Sequence, residues 1–426
     1  MFLTTQIAKG VSLHIRQTSQ FKTVNFSIKW RTPITKTAAS ERTVLSNVLQ
    51  HSNEKFQTSA SYRSYLDDLF GTVLYFDTAK RGNEHTVLLN VETVNDQYLS
   101  HGNVLNEVIS LLHEAIFKPN FENNEFKEAI VAREKEMVIQ RIQSIFDDKS
   151  RYAQKRLLEI MRPNDVASFS ANGTIEDVKA ITPASLTKTY ENMIANDLID
   201  IYVVGDIDTE KITEQLKQAL PFADRPELEW PAVTTASNEV KPYTKETLEM
   251  KQGKLHIGYN TKVRFGDEDF AKMQIFNGIF GGYAHSKLFM NVREKESLAY
   301  YASSSYAAQY GLLFVVSGIE PSNEQKAREV IQEQLTAIQN GEISDLELAQ
   351  TKAMLINQLK EALDSSRGQI EIFDQYKELN EPFTLDTWTA RWKAVTKEDV
   401  QQMAKQVEHE ATYFLCGKED QARENN

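Results

Sequence analysis

Alternating hydrophobic and polar positions predict the strands of the first half of the chain. Apolar and polar side chains alternate from Val24 to Trp30, and apolar stretches follow at 72–76 and 86–91. A period of two residues is typical of a strand with one buried face. An amphipathic segment begins near Ser40, and apolar residues recur at roughly helical spacing over 122–146. The first half therefore predicts strands followed by helices.

The second half of the chain repeats this order. Strand patterns recur at 254–259, 300–305 and 312–317. Both halves also end alike. A helix opened by Thr182 leads to a strand at 198–204, and a helix opened by Thr396 leads to a strand at 412–416. We infer a tandem duplication of an α+β unit, each copy about 200 residues long.

Proline and polar residues concentrate between the two halves. Pro226, Pro231 and Pro242 all fall within 221–247, among many polar residues. Such a composition is typical of an extended linker. The sequence therefore predicts three parts: a first half at 1–220, a linker at 221–247 and a second half at 248–426.

The composition is that of a globular protein with an acidic balance. Hydrophobic residues make up 41% of the 426 residues, and the formal net charge is −12. An acidic chain of this size can build hydrophobic cores, but it is poorly suited to nucleic acid or an anionic membrane surface. We therefore expect neither nucleic acid nor a membrane as a partner.

The chain carries few features of an exported protein. The N-terminal residues MFLTTQIAKG lack the pattern of a signal peptide, and no apolar run is long enough to cross a bilayer. A single cysteine, Cys416, excludes an internal disulfide, and its apolar neighbours indicate a buried strand position. These features favour a cytoplasmic location.

The stretch LSNVLQHSNEKF at 45–56 has the outline of a zinc-binding helix without most of its ligands. His51 lies four residues after Asn47 and one after Gln50, so two substitutions would create His-x-x-Glu-His. An amide is a poor zinc ligand, and glutamine cannot accept a proton at neutral pH. A polar helix surface with a hydrogen-bonded structural histidine is the simpler interpretation of these residues.

Three further segments have a specific resemblance to known proteins. They are the run from Gly173 to Thr182, the pair Gly281 and Gly282 leading into SKLF, and VREKESLAY at 292–300. Together with the first helix, their order resembles the insulinase/pitrilysin family of zinc peptidases, whose motif is His-x-x-Glu-His. The resemblance covers nearly the whole chain. It implies an insulinase/processing-peptidase-like fold of two homologous α/β-sandwich-like halves, with mostly antiparallel sheets and helices packed on them.

The resemblance also implies which positions have lost their chemistry. Family members bind zinc through both motif histidines and a glutamate on a later helix, and the motif glutamate is the general base. Here Asn47 replaces the first histidine, Gln50 replaces the base, and only His51 remains. Arg141 stands where the third ligand belongs, and Glu134 stands where a supporting carboxylate is usual. A permanent cation would repel zinc, so we expect no metal in this chain.

A shift of this alignment would leave a second possibility for the later helix. It could place Glu136 at the ligand position instead. One histidine and one carboxylate would still fall short of the three protein ligands that a catalytic zinc needs. Without the alignment, the alternating charges around Glu134 and Glu136 would indicate a solvated helix surface.

The second half keeps residues that the resemblance assigns to substrate binding. Arg293 and Tyr300, seven residues apart, match a pair that holds the substrate near the zinc in this family. A guanidinium and a phenol can both donate hydrogen bonds to peptide carbonyls or to an oxyanion. Gly281 and Gly282 would form a tight turn or leave backbone room for the substrate. Outside the family context, Arg293 and Tyr300 would be an ordinary helix-end cation and a strand aromatic.

Two hypotheses follow, both without catalysis by this chain alone. In the first, the chain is the substrate-binding or regulatory subunit of a bacterial heterodimeric peptidase that acts on peptides or small proteins. The partner subunit would carry the zinc, although pairing with itself as a homodimer is also open. In the second, the chain is an assembly scaffold with no role in proteolysis. An active enzyme with improvised ligands ranks behind both.

Overall fold

The computed structural model describes residues 2–100, 102–233, 241–379 and 383–417. Its strands are β1 (Leu3–Ala8), β2 (Val11–Gln17), β3 (Thr23–Pro33), β4 (Val73–Arg81), β5 (Glu84–Val94), β6 (Phe121–Glu122), β7 (Glu125–Phe126), β8 (Leu198–Gly205), β9 (Tyr243–Leu248), β10 (Gly253–Asn260), β11 (Ala299–Ala307), β12 (Leu312–Ile319) and β13 (Glu408–Gly417). The strands predicted from alternation all lie within these bounds or overlap them.

The helices are α1 (Lys36–His51), α2 (Ser59–Asp68), α3 (Val104–Phe117), α4 (Glu128–Asp147), α5 (Lys149–Met161), α6 (Ile175–Ala180), α7 (Pro183–Asn196), α8 (Thr209–Ala219), α9 (Phe270–Asn277), α10 (Glu324–Gln339), α11 (Asp345–Leu363), α12 (Ser366–Tyr376), α13 (Leu385–Ala394) and α14 (Lys397–Gln406). Two π-helical segments follow α9, at Gly278–Gly282 and Leu288–Lys295. Across the described residues, no helix combines the length and apolar character that a bilayer crossing requires.

Two sheets of matching topology confirm the duplication. The first sheet has the strand order β1-β2-β8-β3-β5-β4, and the second has the order β11-β12-β10-β13-β9. Read from the other edge, the second sheet repeats the first without β1, so β9 matches β2, β13 matches β8 and β10 matches β3. The parallel pairs also match, because β2 pairs in parallel with β8 and β9 pairs in parallel with β13. The other pairs are antiparallel.

The two halves also end with the same capping geometry. Thr182 accepts a hydrogen bond from Ser185 N at the start of α7, and Thr396 accepts one from Asp399 N at the start of α14. In both helices the third residue bonds back to the cap, which makes each start a capping box. Each box satisfies two amide donors that the first turn would leave unpaired.

The chain forms two compact units that are not contiguous in sequence. Unit 1 contains Met1–Gln143, Phe169–Ala232 and Leu363–Gln375, and unit 2 contains Ser144–Ser168, Val233–Ala362 and Tyr376–Asn426. The units therefore differ from the predicted division into 1–220 and 248–426, because one helix of each sequence half belongs to the unit of the other half. Helix α5 packs on β10 and β13 in unit 2, and most of α12 belongs to unit 1.

The predicted linker at 221–247 differs from the structure at its C-terminal end. Residues 234–240 lie outside the described residues, but Tyr243 to Thr247 form most of β9. This strand is polar in composition, so the sequence carries no hydrophobic signal for it. Its Glu246 carboxylate accepts hydrogen bonds from Tyr152 and Tyr413, each at 2.7 Å. An edge strand held by polar contacts shows no hydrophobic alternation.

The main core of unit 1 lies between the first sheet and helices α1, α3, α7 and α8. The opposite face of this sheet is also buried, and it combines charged and aromatic side chains. Lys29 is only 4% exposed, and its amine contacts Glu371 at 2.9 Å and Asp374 at 3.0 Å on α12. Phe373 of α12 also packs against the ring of Tyr202 on β8, so apolar contacts as well as ion pairs hold α12 on the sheet.

Candidate functional site

Helix α1 carries Asn47, Gln50 and His51, the positions that the sequence predicts to be a degenerate zinc motif, at its C-terminal end. Thr35 caps the start of the helix by accepting a hydrogen bond from Ala38 N. One face of the helix buries Val44, Leu45 and Val48 in the core of unit 1. Asn47 lies one turn before Gln50 and His51. It is only 8% exposed and is therefore not part of the predicted polar surface, whereas the His51 side chain is 27% exposed.

The imidazole of His51 is oriented as in many metal-binding histidines. Its Nδ1 donates to the carbonyl oxygen of Asn47 at 2.8 Å, because a carbonyl can only accept. The same nitrogen lies 3.6 Å from Oε1 of Glu134 on α4. Metal ligands commonly anchor one ring nitrogen in this way, so that the other can bind the metal.

Glu134 is a buried carboxylate rather than part of a solvated helix surface. Only 1% of the residue is exposed, and its Oε1 is 2.7 Å from Nη2 of Arg133 and 2.8 Å from Nε of Arg133. Its Oε2 is buried and has no hydrogen-bond partner among the described residues. Glu136, the alternative ligand position, is exposed to solvent. The structure therefore brings Glu134, and not Glu136, to His51.

Arg141 supplies the remaining group near the degenerate motif. Its Nη2 lies 3.4 Å from Oδ1 of Asn47, which can accept a hydrogen bond from it. An amide, a guanidinium, one imidazole and one carboxylate are present where zinc would need three donor ligands. This donor set does not fit a catalytic zinc ion. Within the described ranges, no cluster of three histidine, cysteine or acidic side chains offers another metal site.

Arg293 lies on the π-helical segment Leu288–Lys295 in unit 2, which packs against β11. Its side chain is 42% exposed. The guanidinium lies over the ring of Phe289, 4.6 Å from the centroid, and its Nε is 3.7 Å from a carboxylate oxygen of Glu294. The aromatic ring supports the guanidinium while leaving it accessible to solvent.

Tyr300 lies near the start of β11 and is 56% exposed. Its hydroxyl donates a hydrogen bond to the Glu320 carboxylate, just beyond the end of β12. This hydrogen bond, with the nearby negative charge, raises the pKa of the Tyr300 phenol above its ordinary value. The hydroxyl therefore stays protonated, and its single proton would have to leave Glu320 before it could be donated to a peptide carbonyl.

The two glycines have different roles in the structure. Both lie in the π-helical turn Gly278–Gly282. A Cβ atom on Gly281 would lie 2.6 Å from the backbone nitrogen of Ser304 on β11, whereas one on Gly282 would come no closer than 3.1 Å, to Asn277. Gly281 is therefore needed for the close packing of this turn on the strand. A role for Gly282 toward a substrate stays a prediction.

Two contacts at these positions were missed by the sequence analysis. The partner of Tyr300, Glu320, is remote in sequence, but β11 pairs with β12 so that Ala299 faces Ile319. A hairpin register would have placed the two side chains at the same end of the sheet. Arg133 lies among the alternating charges around Glu134, which the sequence alone would place on a solvated surface, yet its guanidinium is 2.7 Å from the buried Glu134 carboxylate.

Comparisons with known proteins agree with this architecture. Residues 180–355 match the family described as peptidase M16 inactive domain. The chain is 39% identical over 414 residues to the "probable inactive metalloprotease YmfF" of Bacillus subtilis (strain 168), a match that covers 96% of each chain.

Solved structures confirm the predicted fold. A conserved protein from Enterococcus faecalis V583 superposes with a TM-score of 0.91 at 35% identity, covering 98% of this chain and 99% of the other. A protease from Helicobacter pylori superposes with a TM-score of 0.80 over the same shares, and its 14% identity supports the fold alone. Since a relative with 39% identity spans nearly the whole chain, this protein belongs to the M16 peptidase family, the family of insulinase and pitrilysin, as the resemblance predicted.

Proposed function

We propose that this chain is the non-catalytic, substrate-binding subunit of a heterodimeric zinc peptidase that acts on peptides or small proteins. The partner subunit, a zinc-bearing member of the same family, supplies the metal and the general base. This chain supplies Arg293 and Tyr300 to a substrate site shared with that partner. The observation that carries the proposal is the contrast between Arg141 at the degenerate zinc motif and the exposed donors in unit 2.

The chemistry of unit 1 supports the first part of the proposal. Gln50 cannot act as a general base, and Asn47 with Arg141 cannot complete a zinc site. Among homologues, a protein named as a probable inactive metalloprotease is similar to this chain over its whole length. The purified chain should therefore retain far less than one zinc ion and cleave no peptides. Tightly held stoichiometric zinc, measured by elemental analysis after dialysis against a chelator, would contradict this.

Reconstitution tests the second part. The chain is mixed with a candidate zinc-bearing relative, and the mixture is examined by size-exclusion chromatography with light scattering and by cleavage of quenched fluorescent peptides. We expect a stable one-to-one complex that gains peptidase activity. A relative that is equally active alone and forms no complex would oppose the proposal.

Two substitutions test the assigned residues in the reconstituted pair. Arg293→Ala and Tyr300→Phe should each lower turnover about 100-fold, the scale expected for loss of one donor to a developing oxyanion. Arg63→Ala and Tyr98→Phe are matched controls, because both residues are exposed in unit 1. Equal turnover of Arg293→Ala and Arg63→Ala, with thermal stability unchanged, would remove the substrate role.

A scaffold function is the second candidate, and one observation favours it. Arg293 and Tyr300 already have partners within the chain, Phe289 and Glu320, so neither donor depends on a substrate. Peptide binding to the isolated chain distinguishes the two candidates. A subunit that contacts substrate should bind unstructured peptides through unit 2, and Arg293→Ala should weaken that binding. A scaffold should show no such binding.

A further inference from the structure

A hydroxyl, an imidazole and a carboxylate are joined by hydrogen bonds at one edge of the sheet of unit 1. Thr4 lies on the edge strand β1, directly opposite His14 on β2. Its Oγ1 is 2.9 Å from Nδ1 of His14, and Nε2 of the same ring is 2.9 Å from Oδ1 of Asp200 on β8. These are the parts of a nucleophile, a general base and a group that orients the base.

The carboxylate decides which ring nitrogen of His14 carries the proton. The guanidinium of Arg31 lies 2.7 Å from Oδ2 of Asp200, and this positive charge favours an ionised carboxylate. An ionised carboxylate can only accept, so Nε2 of His14 donates to Asp200. In the neutral imidazole, Nδ1 is then unprotonated and accepts a hydrogen bond from the hydroxyl of Thr4. The base is therefore directed at Thr4.

The base is held rigidly, whereas the hydroxyl is accessible. His14 and Asp200 are each 4% exposed, and Thr4 is exposed on the outer strand. The ring of His14 stacks on that of Tyr202, with 4.8 Å between the centroids, and meets the ring of Phe373 at an angle of 61° and 5.2 Å. A base fixed by packing beside an accessible nucleophile is the arrangement that a reaction at the hydroxyl requires.

The next residue, Thr5, provides a comparison within the same strand. It is also exposed, but it pairs with Leu13 and not with His14. Successive side chains of a strand point to opposite faces of the sheet, so Thr5 faces away from the imidazole. The two threonines therefore share residue type, strand and exposure, and they differ in the base.

We propose that Thr4 is a nucleophile that accepts an acyl group from small activated esters, with His14 as its general base and Asp200 as the positioning residue. The site lies entirely in unit 1. It does not depend on the degenerate zinc motif or on the substrate residues of unit 2. The proposal is therefore independent of the proposed function.

The reaction needs only the ester and the hydroxyl. As Oγ1 of Thr4 bonds to the carbonyl carbon, its proton passes to Nδ1 of His14. The bond from that carbon to the leaving oxygen then breaks, and the leaving oxygen takes the proton from Nδ1. The products are a Thr4 ester and a free alcohol, and nothing is oxidised or reduced. Because Thr4 is open to water, which stabilises an oxyanion less well than preorganised donors do, we expect reaction only with esters that have a good leaving group, such as aryl acetates.

The test treats the full chain with p-nitrophenyl acetate and locates the acetyl groups by fragmentation mass spectrometry. Neutral hydroxylamine removes esters and leaves the amides formed at lysines, so it identifies acylated hydroxyls. Thr4 should gain the ester about 100-fold faster than Thr5, the scale of general base catalysis. His14→Gln should reduce Thr4 labelling to the level of Thr5. Equal labelling of the two threonines in the native chain, or undiminished labelling in His14→Gln, would overturn the proposal.

Asp200→Asn tests the positioning residue. An amide can donate to Nε2 of His14, and the proton would then lie on the nitrogen that faces Thr4. The ratio of Thr4 to Thr5 labelling should therefore fall at least about tenfold. A purely structural role of Asp200 would lower the thermal stability and leave this ratio unchanged, and that result would remove Asp200 from the site.

Thiol substitution tests the base even if the acetyl ester is lost too quickly to be detected. Thr4→Cys and Thr5→Cys are compared by alkylation with iodoacetamide, because the single native cysteine, Cys416, is buried. An adjacent imidazole increases the thiolate fraction, so at about pH 6 Thr4→Cys should react roughly tenfold faster than Thr5→Cys. Adding His14→Gln should remove the difference. Equal rates in the two single variants would show that the imidazole does not activate this position.

Discussion

The end of α1 in unit 1 and the segment that carries Arg293 and Tyr300 in unit 2 have opposite character. In unit 1, Asn47, His51 and Arg141 contact one another or their close neighbours, and Glu134 is buried beneath them. In unit 2, Arg293 and Tyr300 are exposed and direct their donors toward solvent-accessible carboxylates. In the first region Asn47 and Glu134 are buried, whereas Arg293 and Tyr300 are accessible to solvent although each already contacts a group of the same chain.

This difference lies in side-chain chemistry and not in the fold, which both units share. The core of unit 1 depends on the apolar face of α1 and not on the motif residues, so ligands could be replaced without loss of the fold. His51, with its anchored Nδ1, and the buried Glu134 carboxylate lie together at this place. The groups beside them are an amide and a guanidinium, which do not complete a zinc site.

Restoring the missing donors in unit 1 is the strongest test of this comparison. The triple variant Asn47→His, Gln50→Glu and Arg141→Glu should go from negligible zinc retention to about one zinc per chain, because His51 and two new ligands complete the set. His51 already has its Nδ1 anchored and Glu134 buried beside it, so the supporting groups are in place. Zinc content after dialysis gives the answer.

Adding His51→Ala to the triple variant provides the control and should abolish zinc retention. A triple variant that folds normally but stays free of zinc would show that the two helices no longer hold their ligands at metal-binding distance. In that event the degenerate site would differ from an active one in geometry as well as in donor type.

Much of the fold could be predicted from the sequence because its elements have local causes. The alternation at 24–30 predicted β3, and the capping residues Thr182 and Thr396 predicted the starts of α7 and α14. The exchange of α5 and α12 between the halves had no local cause, since it depends on which sheet each helix covers. For the same reason alternation could not reveal that the polar face of β3, with Lys29, is buried under α12.

Contacts in the candidate site could be predicted where the two residues lie on the same helix, because their separation in sequence fixes their distance. Asn47 and His51 are one turn apart, and the family alignment brought Arg141 to Asn47 and Glu134 to His51, as the structure has them. Contacts across a hairpin, such as Tyr300 with Glu320, needed the strand register.

The glycine pair offers a smaller test within unit 2. Gly281→Ala should destabilise the chain by about 1–3 kcal/mol, because its methyl group would overlap the backbone of β11 at Ser304. Gly282→Ala is the matched control and should change the free energy of unfolding by less than about 1 kcal/mol, since its nearest neighbours lie at 3.1 Å. Denaturant unfolding measures both. Equal losses would mean that the turn does not pack on β11 as described.

The smallest expected effect concerns the protonation of Tyr300. Its pKa is raised mainly by the hydrogen bond to Glu320, because ionising the phenol would place two negative charges side by side. Glu320→Gln keeps an acceptor oxygen but removes the charge, so the pKa of Tyr300 should fall toward its ordinary value. NMR titration of ring-labelled tyrosine, with Tyr300→Phe to assign the resonance, measures the change.

Glu294→Gln, which alters the partner of Arg293 instead, should leave the Tyr300 titration in place. If both variants moved the titration equally, the raised pKa would reflect the general negative charge around unit 2 and not the hydrogen bond, and Tyr300 would be as free to meet a substrate as Arg293.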